Sequence, residues 1–350
     1  MAKLRPWQYV VIAVAVVGIV VFALRGSGSK EQLNLFCWTE YIPQSVLDAF
    51  AEEYDVKVNY ATYSSNEEML AKLTAGAAGY DVIIPSDYVI TVLGKQGKLM
   101  PLNKELLPNL INLDPAWLDL PFDPDNVYSV PFMWGTVGIV VNTEKEKEPI
   151  TSFRDLWKPQ YKGKIVVIDG AREMIGLALQ MLGKSHNAAS EADLQAAKNE
   201  LRSLMPSIKA FDSDSPKSIL LAGDVTIGVV WSGEAALVIR DQPGKFAYVL
   251  PEEGGSIWMD SMVIPTTSQN PELAHKFINF ILRPDISAQL SNAFLYGNPN
   301  LAAQALMDPE MLSNPASYPP AAALTKAEWL DDVGSASALY DRVWTELKGE

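Results

Sequence analysis

The sequence predicts an α/β protein of two lobes, each a sheet with flanking helices, joined by crossing strands and preceded by an apolar helix. Three observations carry this. From residue 32 onward, short strand-like runs alternate with helix-periodic runs, the rhythm of a largely parallel sheet. A chain of 350 residues is also too long for one compact core. Finally, residues 132–142 are a long apolar run that no linker of loop composition interrupts, so they read as a strand passing between lobes, with 258–265 as the return crossing. The implied division is a leader and tether at 1–30, one lobe from 31–141 with 261–305, and a second from 142–260 with 306–350.

The elements follow in order. Lys3 and Arg5 precede an unbroken apolar stretch over residues 9–24, and Arg25-Gly-Ser-Gly-Ser follows. That order is an export signal, and its basic amino side places the remainder outside the cytoplasm. The stretch is a little short of a full span of ~20 residues. Residues 27–29 would pass as a cleavage site, but Arg25 abuts the apolar run and no Ala-x-Ala follows, so residues 7–24 are read as a retained anchor. Residues 32–38 form a strand. Pro43 suits the first position of a helix on which Val46, Leu47, Phe50 and Tyr54 share a face. Residues 56–60 alternate as a strand, Ser65 and Glu68 have capping-box spacing, and residues 81–84 are a short buried strand. Residues 113–131 wrap the surface. A second α/β unit begins at 151–157 and 161–168, with further strands at 225–231 and 246–250 and an amphipathic helix at 270–282.

Composition excludes several function classes. A net charge of −14 opposes nucleic acid, whose phosphates need a basic footprint. The single cysteine, Cys37, cannot form an internal disulfide and reads as a small buried hydrophobe. The two histidines, His186 and His275, read as solvated, one in a polar loop and one on the polar side of a helix. Ser232 lacks the glycine spacing of a nucleophile elbow, and neither a phosphate loop nor a His/Cys metal spacing is present. The reading is a binding protein without metal or cofactor. A carbohydrate-active or transferase enzyme on the same scaffold is the alternative from another class.

What remains is a recurring pair of acid and aromatic where strands end. Trp38, Thr39, Glu40 and Tyr41 close the first strand, and Ser86, Asp87 and Tyr88 close the third. Trp258 and Asp260 lie far downstream, while Asp169, Glu173, Trp231 and Tyr296 end strands or open helices. Ligands of parallel sheets gather at these carboxyl ends. A cation among π faces and carboxylates is held by charge and ring quadrupole, each ring adding about 0.5–2 kcal/mol when desolvated. Bland readings stand beside these. Glu40 and Asp87 could cap the helices that follow, and Trp134, Trp157 and Trp329 could be packing residues. Together the pairs ask for a ligand that is positively charged, thin and partly apolar.

From about Leu33 to its end the chain resembles the spermidine/putrescine-binding proteins of bacterial ABC transporters. The shared motifs include Trp38-Thr-Glu-Tyr41, Tyr63-Ser-Ser-Asn66, Asp155-Leu-Trp-Lys-Pro159, Ala171-Arg-Glu173, Trp258-Met-Asp-Ser261 and Asn298-Pro-Asn300. The resemblance implies a two-lobed periplasmic binding protein of type II that closes like a hinged trap on a polyamine. It implies delivery to permease subunits, a monomer, an extracytoplasmic location and no catalysis. It assigns Trp38, Tyr88, Trp231, Trp258 and Tyr296 to the methylene chain, and Glu173 and Asp260 to the ammonium groups with Asp260 central. Thr39 and Glu40 fall near the other end of the ligand. Two departures stand out. Gly170 replaces an aspartate of the spermidine-binding pattern, with Asp169 one place earlier, and Leu330 replaces a glutamine. An anchor is thereby lost, which leaves a short diamine as open as spermidine, and Asp87 could compensate. A receptor for another organic cation is the runner-up.

Overall fold

The computed structural model describes residues 30–76 and 79–349; the leader and anchor reading lies outside them. Among the described residues no helix is long and apolar enough to cross a membrane.

Strand β1 (Gln32–Trp38) is followed by α1 (Gln44–Tyr54), β2 (Lys57–Tyr63), α2 (Asn66–Thr74), β3 (Val82–Ile83) and α3 (Asp87–Lys95). β1 pairs in parallel with both β2 and β3, and α1 buries Val46, Leu47 and Phe50. Two local details differ from the sequence reading. Pro43 is the residue before the first helical position, in extended backbone. The Ser65 hydroxyl accepts the Glu68 N–H at 3.1 Å, but the Glu68 carboxylate reaches back to Ser64 N and Oγ. The return half of the box is thus offset by one residue, to Ser64.

A run of short turns then leads to β4 (Ser129–Asn142), buried along its whole length. The second unit comprises β5 (Ile165–Val167), α4 (Ala171–Met181), α5 (Glu191–Leu204), β6 (Ile208–Phe211), α6 (Pro216–Ala222), β7 (Ile227–Trp231), α7 (Ser232–Asp241) and β8 (Phe246–Val249). β9 (Ser256–Val263), α8 (Pro271–Ile281), α9 (Pro284–Phe294), β10 (Glu328–Trp329) and α10 (Ser337–Gly349) complete the main elements.

The strands run in the order β2-β1-β3-β9-β4-β7-β5-β6, with β10 on β9 and β8 on β4. β4 exchanges partners along its length: residues 129–136 pair with β9 and residues 137–141 with β7, all antiparallel. It thus stitches the parallel set β1, β2 and β3 to the parallel set β5, β6 and β7. The uninterrupted apolar composition of residues 132–142 follows from this, since a strand covered on both faces and both edges has no solvated side.

Both histidines depart from expectation. His186 is fully buried, and neither ring nitrogen has a partner among the described residues. Its ring lies so close to Gly176 that a Cβ there would sit 2.0 Å from Nε2. His275 is buried too, with Nε2 accepting the Asn103 N–H at 3.0 Å and Nδ1 held 2.6 Å from the Pro271 carbonyl. Its apparently polar position is covered by the turn at 103. Cys37 is buried in β1, as read.

Burial, then the Arg172 charge, pushes His186 down to about 3. The unfolded chain therefore binds the extra proton between pH 6.5 and 3, and the stability held above 6.5 is lost as pH falls through that window. Relative to His186→Leu, wild type should lose up to about 1.4 kcal/mol per pH unit there, read from denaturant midpoints. Parallel curves for the two proteins would contradict this.

Candidate ligand-binding site

The carboxyl ends of the parallel strands meet over one hollow. The end of β1 and the bend after it bring Trp38, Thr39, Glu40 and Tyr41, and the bend after β3 brings Ser86. The first turn of α4, after β5, supplies Glu173; β7 ends in Trp231. β9 contributes Trp258 and Asp260, two apart and so on one face of the strand. Tyr296 comes from the segment after α9. The hollow holds about 550 Å³ of space free of atoms, part of it open to solvent. Five lining residues are acids, and none is Lys or Arg.

Asp260 lies at 4% exposure. Its Oδ2 accepts the Tyr41 hydroxyl at 2.7 Å and its Oδ1 the Ser86 hydroxyl at 2.6 Å. Asn66 steadies Ser86 in turn, donating from Nδ2 at 3.1 Å. Burial pushes the Asp260 carboxyl up to about 7 although both hydroxyls pull it down. Glu173 is likewise pushed to about 7, by burial and then by the Glu67 charge. Among the described residues no cation is in hydrogen-bond contact with either carboxylate. A positive group arriving beside either one favours its ionised form.

The rings form a continuous edge-on series around this carboxylate. Trp38 lies 6.5 Å from Trp231, Trp231 6.0 Å from Trp258, Trp258 5.3 Å from Tyr296, and Tyr296 5.5 Å from Tyr41. Interplanar angles of 63–88° are those of T-shaped pairs. Two glycines admit the rings: a Cβ at Gly135 would stand 2.5 Å from Trp258 Cζ2, and one at Gly233 2.5 Å from Tyr296 Cε1. Glu40 sits at φ 51°, a left-handed conformation that a non-glycine residue adopts at a cost.

Three expected site residues stand elsewhere. Asp87 is fully buried off the hollow, its Oδ1 accepting the Tyr88 N–H at 2.8 Å. Burial holds it well above the usual carboxylate range, so it does not stand in for the acid absent at Gly170. Tyr88 faces a different cavity, donating to Glu67 at 2.8 Å with the Arg172 guanidinium 5.1 Å from its ring. Asp169 is neutralised by Lys348 at 2.7 Å and accepts Trp344 Nε1 at 2.8 Å. For Tyr88 and Asp169 a neighbouring element outside the motif claims the side chain, whereas Asp87 turns back onto the backbone of its own motif. Trp134 packs on Trp117 at 4.6 Å, away from the hollow.

Ser213, Asp214 and Glu234 line the hollow without having been singled out, and Leu330 lines it as well. Glu234 follows Trp231 by one helical turn at a strand end, the same coupling of ring and acid that marked the others. Ser213 and Asp214 follow β6 and carry no aromatic, so that signal misses them.

A ligand-sized hollow between two strand sets, walled by rings and acids, defines a solute-binding protein rather than an enzyme. The chain belongs to the bacterial extracellular solute-binding proteins, whose sequence model matches residues 45–320. It is 41% identical to the spermidine/putrescine-binding periplasmic protein of Salmonella typhimurium, over 99% of each chain. Among solved structures it is similar to a Listeria monocytogenes protein provisionally assigned to a spermidine/putrescine ABC transporter. The TM-score is 0.88 at 38% identity, covering 91% of this chain and 99% of that one. The PotD substrate-binding protein of a Streptococcus pneumoniae spermidine/putrescine ABC transporter is also similar, with TM-score 0.77, 35% identity and the same coverage.

Proposed function

We propose that the protein captures a polyamine, putrescine or spermidine, in this hollow outside the cytoplasm and delivers it to the permease of an ABC transporter. The observation that carries the reading is Asp260, a buried carboxylate with two hydroxyl donors and, among the described residues, no cation partner, enclosed by rings. Ammonium groups lose water on entry and need charged or hydrogen-bonding partners, while each buried methylene contributes about 0.8 kcal/mol. The named relatives support the ligand class.

In this reading residues 31–141 with 261–305 form one lobe and residues 142–260 with 306–350 the other. Ligand bridging the lobes favours the closed state by its differential affinity. Residues 7–24 tether a monomer to the membrane's outer face. A calorimetric screen of diamines and polyamines tests the ligand class. Saturable binding with recovery of unchanged amine supports a receptor; turnover supports the enzyme alternative; heat from an unrelated organic cation alone supports the runner-up.

Two further outcomes are expected. Gly233→Ala pushes on the Tyr296 ring and should weaken binding about tenfold, at a cost of about 1–3 kcal/mol in stability. Unchanged affinity would place Tyr296 outside the site. Leu330→Gln restores a polar group to the wall and should favour spermidine over putrescine. It is a cleaner test than Gly170→Asp, whose Cβ would fall 2.2 Å from Glu173 Oε2 and so displace that carboxylate. An unchanged preference in Leu330→Gln would remove residue 330 from the selectivity.

A further inference from the structure

One cation of the chain itself reaches the rim of the hollow. Lys217, near the start of α6, directs its ammonium to Glu40 and to both Glu234 oxygens, at 3.0 Å from Oε1 and 3.3 Å from Oε2. Its backbone N–H donates to Glu234 Oε2 at 3.3 Å as well. Glu40 and Glu234 both line the hollow, whereas Lys217 stands behind them. The contact joins the bend after β1 to the helix after β7, strands from opposite sides of the β9–β4 pair. The Lys217–Glu234 arm is shielded, with side-chain exposures of 17% and 7%, while Glu40 is 47% exposed and faces the rim. At this end two carboxylates thus already share a positive charge. Of the other three acids lining the hollow, Asp214 is exposed, and among the described residues no ammonium or guanidinium hydrogen-bonds to Asp260 or Glu173.

We propose that the Lys217 ammonium takes the place of one ligand ammonium at the Glu40–Glu234 end, so that the hollow is matched to a diamine and discriminates against a triamine. This rests on the polyamine reading above and adds the residue that sets the number of ammonium groups. A third ammonium brought to Glu40 meets Lys217 at close range. Like charges there repel, and because Lys217 compensates one of the two carboxylate charges, the newcomer exchanges its hydration for about half the attraction the bare pair would offer. Two ammonium groups settle on Asp260 and Glu173 without that conflict. The same three groups tie one side of the hollow to the other, and that tie accompanies the bound state without requiring a longer ligand to bridge it.

The test is titration of purified wild type, Lys217→Met, Lys217→Gln and Lys217→Arg with putrescine and with spermidine, at one pH and one salt concentration. In Lys217→Met and Lys217→Gln the spermidine-to-putrescine affinity ratio should rise at least tenfold. Lys217→Gln keeps a donor to Glu234 and so covers any loss of folding in the methionine variant. Lys217→Arg should keep the ratio within about threefold of wild type. A ratio unchanged in the two neutral variants, or equal weakening for both amines, overturns the assignment while leaving the polyamine reading standing. Wild type that binds neither amine overturns the polyamine reading and this inference with it.

Discussion

Asp260→Asn is expected to weaken polyamine binding by a factor on the order of 100 or more, with the fold intact. The substitution is nearly isosteric and keeps an acceptor for one of the two hydroxyls, Tyr41 or Ser86, that now donate to the carboxylate. What it removes is the charge. A ligand ammonium entering a site at 4% exposure then has no counter-ion, and removing one partner of a buried charge pair typically costs 2–5 kcal/mol. The free protein should not suffer equally. Burial pushes the Asp260 carboxyl up to about 7, so wild type without ligand loses stability as pH rises from about 4 to 7, while the neutral amide does not. At pH 8 the unliganded variant should melt at or above wild type, yet bind far more weakly. Near-wild-type affinity by calorimetry would remove Asp260 from its central place.

Trp258→Ala should cost both stability and affinity. Its ring is 5% exposed and lies between Trp231 and Tyr296, at 6.0 and 5.3 Å. Loss of a buried tryptophan destabilises by about 3–5 kcal/mol through lost transfer energy and the cavity left behind. The same ring walls the hollow, so affinity should fall at least tenfold as the methylene chain loses its apolar cover. Denaturant midpoints and calorimetry separate the two effects. A large fall in stability with affinity retained would make Trp258 a packing residue alone.

Much of this was legible in the sequence because the relevant signals are local. β1 spans Gln32–Trp38, the range its apolar run marks. β4 is longer than the apolar run over 132–142 by three residues at its start, because Ser129, Val130 and Pro131 pair with β9 as well. Trp38, Tyr41 and Trp231 converge because parallel strands present their carboxyl ends to a common side, whereas Trp258 and Asp260 reach the hollow from the middle of β9, which runs antiparallel to β3 and β4.

What the sequence hid depends on partners distant in the chain. Nothing near Asp169 announces that Lys348 will neutralise it, and nothing near Tyr88 announces Arg172. His186 sits in a segment of polar composition, yet tertiary packing buries it. The Glu328 carboxylate, 142 residues away, accepts its backbone N–H at 3.1 Å and holds the segment inside. Lys217 and Glu40 are 177 residues apart, and their contact exists only once the strand sets face one another.

The central claim is that a slender cation ionises two buried carboxyl groups as it enters. Burial pushes Asp260 and Glu173 up to about 7, so cation binding at pH 6.5 should expel protons from them and binding at pH 9 should not. Calorimetric titration of the protein with putrescine and spermidine, in buffers of differing protonation heat at those two pH values, reads this directly. The expected result is one-to-one binding that releases protons at pH 6.5, with release vanishing by pH 9. Tight binding with no buffer dependence at pH 6.5, or no binding of either amine at any pH, would contradict it.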